Sequence, residues 1–122
     1  MKFTNQEIYS ITLAYNKAFE KMESYIPAKV NFYMQSNIKK LAAAVEEIDA
    51  ARMEIVKHYG EETEGGYTIL QESMAAAEKE LAELFAIEQE FDIKTFRIDD
   101  FGDKVELTMP QMQAIMFMIE ED

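Results

Sequence analysis

Two pairs of carboxylates in this chain have a spacing that could hold a metal. Glu20-Lys-Met-Glu23 is followed, after 22 residues, by Glu46-Glu-Ile-Asp49. Carboxylates three residues apart share one side of a helix, and two such pairs on facing helices can offer the several oxygens that Mg²⁺ takes in octahedral array. Two further side chains have chemistry to contribute. Arg52 stands in step with a row of apolar residues, where a guanidinium could bind a phosphate or carboxylate from a partly dry position. His58, the only histidine, lies just before Gly60 and could serve as a general base or pH switch. Asp99, Asp100 and Asp103 could hold calcium weakly, though not with EF-hand spacing. There is no cysteine, which excludes disulfides, zinc–thiolate sites and thiol nucleophiles. The glycines at 60, 65, 66 and 102 form no phosphate-cradling loop.

The elements that must position these groups are helices. Thr4-Asn-Gln-Glu7 is a capping box, with Phe3 and Ile8 at the staple positions. Ile8, Ile11, Tyr15, Ala18, Met22 and Tyr25 then follow at alternating steps of three and four, which places them on one helix face. Pro27 interrupts and can open a new helix near its first position. Met34, Ile38, Leu41, Val45, Ile48, Arg52, Ile55 and Tyr59 continue the same rhythm. Gly60 is expected to supply a left-handed stop, with Lys57 and His58 in the last turn. A short turn joins the two helices into an antiparallel hairpin with unequal arms. The second arm overshoots, leaving Ile48, Ile55 and Tyr59 in need of a cover.

Set on this frame, the chemical candidates weaken. The ExxE…ExxD spacing is that of all-α nucleoside triphosphate pyrophosphatases. Here Glu20 and Glu23 fall on the outward side of the first helix, and Glu46 and Asp49 lie beside the seam of the second. A turn at Pro27 pairs Glu20 with residues near 33, about 18 Å along the axis from Glu46. Arg52 is better read as a seam residue whose stem packs while its head pairs with an acid of the second half. His58 lacks any Cys, His or HExxH partner and reads as a helix-end residue.

The second half reads as a small mixed region. Glu61-Glu-Thr-Glu-Gly-Gly66 is a polar loop, and Tyr67-Thr-Ile-Leu70 a possible short strand. An Ala- and Glu-rich helix follows from Ser73, with Met74, Leu81, Leu84 and Phe85 as its expected buried side. Phe91 to Ile98 and Lys104 to Leu107 look like two strands around the turn Asp99-Asp-Phe-Gly-Asp103. Thr108-Met-Pro-Gln111 is a second capping box and launches a methionine-rich last helix. The expected fold is therefore α+β, mainly α, in one domain spanning 1–122. A long antiparallel helical hairpin covers about 5–25 and 28–59, and a third helix about 73–88. A short β-hairpin covers about 91–107 and the last helix about 109–120. The acidic part, 61–122, packs on the hairpin of 1–60.

Charge narrows the possible partners. The formal net is −12, and it is uneven: residues 1–60 carry 8 basic and 7 acidic groups, residues 61–122 carry 4 and 17. Nucleic acid and anionic membranes would be repelled by the second half. The first residues lack a signal-peptide core, and the apolar run Ala114–Ile119 is too short to span a bilayer. Methionine-rich helices suit surfaces that must conform to a partner. Ile48, Arg52, Ile55, Tyr59, Met112, Ile115, Met116 and Ile119 are the candidates for partner binding or self-association into a homo-oligomer.

Three segments, taken together, carry a resemblance: Ile26-Pro-Ala-Lys-Val-Asn-Phe-Tyr-Met-Gln-Ser-Asn37, the run from Glu47 to Glu61, and the ending from Leu107 to Glu121. They resemble a family of small acidic proteins of unknown function encoded by phages and prophages of Gram-positive bacteria. The likeness spans most of the chain in the same order. It implies a viral origin and no known activity, and it carries over no functional residue; the expected location is the cytoplasm of the bacterial host. The resulting expectation is a non-enzymatic protein that docks on a phage assembly component or blocks a host defence factor, with no cofactor. Alternatives are an acidic mimic of nucleic acid, a sponge for a nucleotide signal built on Arg52, Lys57 and Arg97, and the magnesium-dependent pyrophosphatase.

Overall fold

The computed structural model describes residues 1–21, 25–102 and 105–120. Its elements follow from local sequence signals. A short strand β1 (Lys2–Thr4) leads into α1 (Asn5–Ala18), started by the expected capping box: Thr4 Oγ1 accepts from the Glu7 amide and Glu7 accepts from the Thr4 amide. The long helix α2 (Ala28–Tyr59) begins directly after Pro27. A hairpin of β2 (Gly60–Thr63) and β3 (Gly66–Ile69) follows it. A single 3₁₀ turn then opens α3 (Met74–Ala86), which leads to β4 (Glu88–Glu90), paired antiparallel with β1. The last helix, α4 (Met109–Ile115), is launched by the second capping box and tightens into a 3₁₀ turn at Met116–Met118.

α1 ends seven residues before the expected boundary of 25. Phe19 takes the cap position and stacks on Tyr15, with ring centroids 4.7 Å apart. The Ala18 carbonyl, left without an intrahelical partner, accepts from Gln111 Nε2 at 3.0 Å. Tyr25, expected on the seam, consequently stands 78% exposed. Met22, Glu23 and Ser24 lie outside the described residues, as does the turn pair Asp103–Lys104.

The core is one cluster built on α2. Val30, Met34, Leu41 and Ile48 are at most 2% exposed, and they meet Ile8 and Tyr15 of α1 and Ile115 and Met118 of the last helix. Full burial of each such aliphatic side chain stabilises the fold by about 1.5–3 kcal/mol. Because α1 is shorter than expected, α2 outruns it by more than half its length. The overhang is sheltered from within: α3 packs along α2 with Ala77 fully buried, and β3 folds back so that the Leu70 amide donates to the Tyr59 carbonyl at 3.2 Å. The Tyr59 phenol feels the Glu80 carboxylate of α3, which raises its pKa. Ile48 is buried, and Ile55 and Tyr59 are half-buried.

Among the described residues, the β-hairpin expected at 91–107 is not formed: neither 91–98 nor 105–107 runs as a strand. The backbone that was to pair with 104–107 finds other partners. Lys94 bonds twice to the Asn37 side chain, and Phe96 exchanges backbone bonds with the last turn, donating to Met118 and accepting from Glu120. Residues 98–101 coil into a 3₁₀ turn that drives Phe101 into the core, edge-on to Phe96 at 5.5 Å. The hairpin of this fold is instead the polar stretch at 60–69.

Gly60 is not a left-handed stop either. Its φ is −115°, and the glycine answers a different need: a Cβ there would lie 2.6 Å from the Val56 carbonyl oxygen. On α3, Met74 is 40% exposed, so the buried side rests on Ala77 with Leu81, Leu84 and Phe85 half-buried.

Candidate functional site

Among the described residues, Glu20, Glu46 and Asp49 form no metal-holding group. Glu20 lies past the end of α1 and is exposed, and Glu46 is exposed on α2. Gln35 Nε2 reaches Tyr15 Oη at 3.5 Å, which fixes the level at which the helices meet. Glu46 is about three turns of α2 beyond that point. Asp49 is engaged by Arg52, and Glu23 is outside the described residues. Among the described residues no group of three or more acidic or histidine side chains could hold a metal ion.

Arg52 pairs with Asp49 of its own helix, Nε to Oδ1 at 3.5 Å, not with an acid of the second half. Both side chains are more than a third exposed, so the pair contributes about 0–1 kcal/mol. The other basic groups also have local company. Arg97 Nε is 3.9 Å from a Glu120 oxygen, and Lys57 Nζ sits 6.0 Å from the Tyr67 ring centre. His58 is exposed and packs edge-on against Tyr59. At the 3₁₀ turn, the Asp100 carboxylate accepts from the Arg97 amide at 2.9 Å, while Asp99 is exposed.

The methionine-rich helix has two distinct faces. Gln111, Ala114, Ile115 and Met118 point inward; Ile115 and Met118 have no exposed surface. Met112 and Ile119 are half-buried. Met109 is 71% and Met116 62% exposed, with exposed Gln113 between them. At 3.6 residues per turn these three lie within about 60° of arc, on a ridge opposite the core. No charged residue occurs between Leu107 and Ile119, in a half of the chain that holds 17 acids. Beside the ridge an open cleft of about 500 Å³ runs between α1 and α4, lined by Ala14, Lys17, Ala18, Thr108, Pro110 and Gln113. Leu13, on the outer side of α1, is 65% exposed.

Sequence reasoning overlooked three polar residues that position these elements. Asn37 is fully buried and holds the 91–97 segment on α2. Asn5 is 2% exposed; its Nδ2 donates to the Leu84 carbonyl and its Oδ1 accepts from Gln89. Gln111 does double duty, closing its capping box and tying α4 to the end of α1. Asn37 was findable, because Val30, Met34, Asn37 and Leu41 share one helical spacing and an amide on an apolar seam needs a partner.

Two phenols are held neutral beyond the usual range. Burial raises Tyr15, and Tyr59 is raised first by its hydrogen bond to Glu80, then by burial and the carboxylate's charge. Both serve packing: Tyr15 joins α1 to α2 and Tyr59 joins α2 to α3. Among the described residues no helix is long and apolar enough to cross a membrane. No protein-family model matches the chain, and neither a curated protein nor a solved structure matches it.

Proposed function

We propose that this is a non-enzymatic docking protein that acts by covering a surface of another protein. The observation that carries the reading is the uncharged ridge Met109–Gln113–Met116, exposed beside the α1–α4 cleft on an otherwise acidic half. Exposed apolar side chains grouped on one side mark interaction sites, and thioethers conform to partners of varied shape. The acidic excess of residues 61–122 disfavours acidic competitors and favours a basic partner. The resemblance to phage and prophage proteins supplies the setting: the partner is a phage assembly component or a host factor in the bacterial cytoplasm.

Affinity capture from phage-infected Gram-positive cells tests this. Wild-type chain should retain a specific protein, and Met109→Lys/Met116→Lys, with unchanged circular dichroism, should lose it. Equal capture by both chains, or none above background by the wild type, defeats the reading. A second reading, mimicry of nucleic acid, draws on the exposure of every acidic residue from Glu61 to Glu90. It requires capture to depend on those carboxylates and to vanish at high salt.

A further inference from the structure

We infer that copies of this chain associate head to tail, the acidic β2–β3 hairpin of one seating on the basic, aromatic face at the start of α2 of the next. Two surfaces with opposite character carry the inference. From Tyr25 to Val45 the sequence holds Lys29, Lys39 and Lys40 and no acidic residue. On the structure Lys29 and Lys39 are exposed, Phe32 between them is 65% exposed, and a shallow notch of about 220 Å³ opens among Phe32, Gln35, Ser36 and Lys39. Lys29 and Lys94 both hold their ammonium groups within 6.0 Å of the Tyr33 ring centre, which gathers positive charge on this side. An exposed phenylalanine ringed by lysines is costly to leave in water and is suited to a partner offering carboxylates and an aromatic.

The hairpin offers both. It carries Glu61, Glu62 and Glu64 and no basic residue, and Tyr67 is 39% exposed. Glu61 through Thr68 are all exposed, so both faces of this two-stranded ribbon meet solvent. Such a ribbon is marginal by itself and gains from docking. The two surfaces cannot meet within one copy, because about 40 Å of continuous helix separates Phe32 from Gly60. Contact between them is therefore intermolecular and heterologous, propagating from copy to copy. Near 0.15 M salt the Debye length of about 8 Å screens the overall like charge while contact ion pairs persist.

Molar mass by light scattering against concentration, near 0.15 M salt, tests the proposal. Wild type should grow beyond the monomer as concentration rises. Lys29→Glu/Lys39→Glu and Glu61→Lys/Glu62→Lys/Glu64→Lys should each stay monomeric alone, yet associate when mixed, since each reversed face then meets its complement. Phe32→Ser, which leaves charge unaltered, should weaken wild-type association by roughly tenfold. A wild type that remains monomeric, a hairpin reversal without effect, or reversed variants that fail to associate on mixing would each overturn it. Circular dichroism of each variant separates these outcomes from misfolding.

Discussion

The side-chain amide of Asn37 and the backbone of Lys94 grip each other through two hydrogen bonds, both 2.8 Å long. Asn37 Nδ2 donates to the Lys94 carbonyl, and the Lys94 amide donates to Asn37 Oδ1. The side chain thus acts as one rung of a sheet, mounted on a helix. It fastens the chain between Phe91 and Phe96, and so sets where Phe96 and Phe101 enter the core. Asn37→Ala should cost about 2–3 kcal/mol, since it removes two bonds and leaves part of their polar surface unpaired. Urea denaturation measures the loss. A change under about 0.5 kcal/mol would show that the segment is held by its apolar side chains alone.

Gly60 tests a second joint. A methyl group there meets the Val56 carbonyl oxygen at 2.6 Å and the Thr68 carbonyl oxygen at 3.0 Å, both backbone atoms that cannot swing aside. Gly60→Ala should destabilise by about 1–3 kcal/mol through overpacking. Gly65→Ala, where nothing lies within 4 Å of the added carbon, should be nearly neutral. Thermal melts of the two variants should separate clearly.

The overhang of α2 gives a third test. Ile48 is 2% exposed although it lies beyond the reach of α1. Ile48→Ala should cost about 2–5 kcal/mol, as for aliphatic truncation in a packed core. Arg52→Ala, one turn along, should cost less than about 1 kcal/mol because its ion pair is solvated. Equal costs would mean that α3 does not shelter the overhang.

High pH should loosen the fold. Tyr15 and Tyr59 have folded pKa values raised above the ordinary phenol value, the first by burial, the second chiefly by Glu80. Below about pH 10 both are neutral whether folded or unfolded, and stability is intact. As pH rises through the raised values, the unfolded chain releases protons first, so stability falls. Tyr15→Phe and Tyr59→Phe should each flatten this alkaline decline in pH-dependent urea titrations. A decline of the same slope in both variants would assign it to other groups.

Much of the architecture was legible because helical signals are local. Thr4 with Glu7, and Thr108 with Gln111, marked two helix starts correctly, and the spacing from Met34 to Tyr59 gave the long helix its length. The fold is α+β and mainly helical, as that reading implies. What failed depended on distant partners. Nothing near Ala18 says that α1 stops there; the reason is a ring stacked one turn back and a glutamine far along the chain. The strand pattern at 91–107 was real as pattern, but Asn37 and the last turn outcompeted the neighbouring segment for its backbone. At the candidate surface, methionine richness pointed to α4, yet spacing alone did not separate inward Ile115 from outward Met109 and Met116. That division needs the position of the core.

The docking ridge is tested most directly by a photo-reactive side chain placed at Gln113, between the two exposed methionines, in chain expressed during phage infection. The account predicts a covalent adduct with one specific protein at Gln113, and none when the same group replaces Glu83 on α3. Adducts at Glu83 with Gln113 silent would contradict it and move the partner to the acidic face.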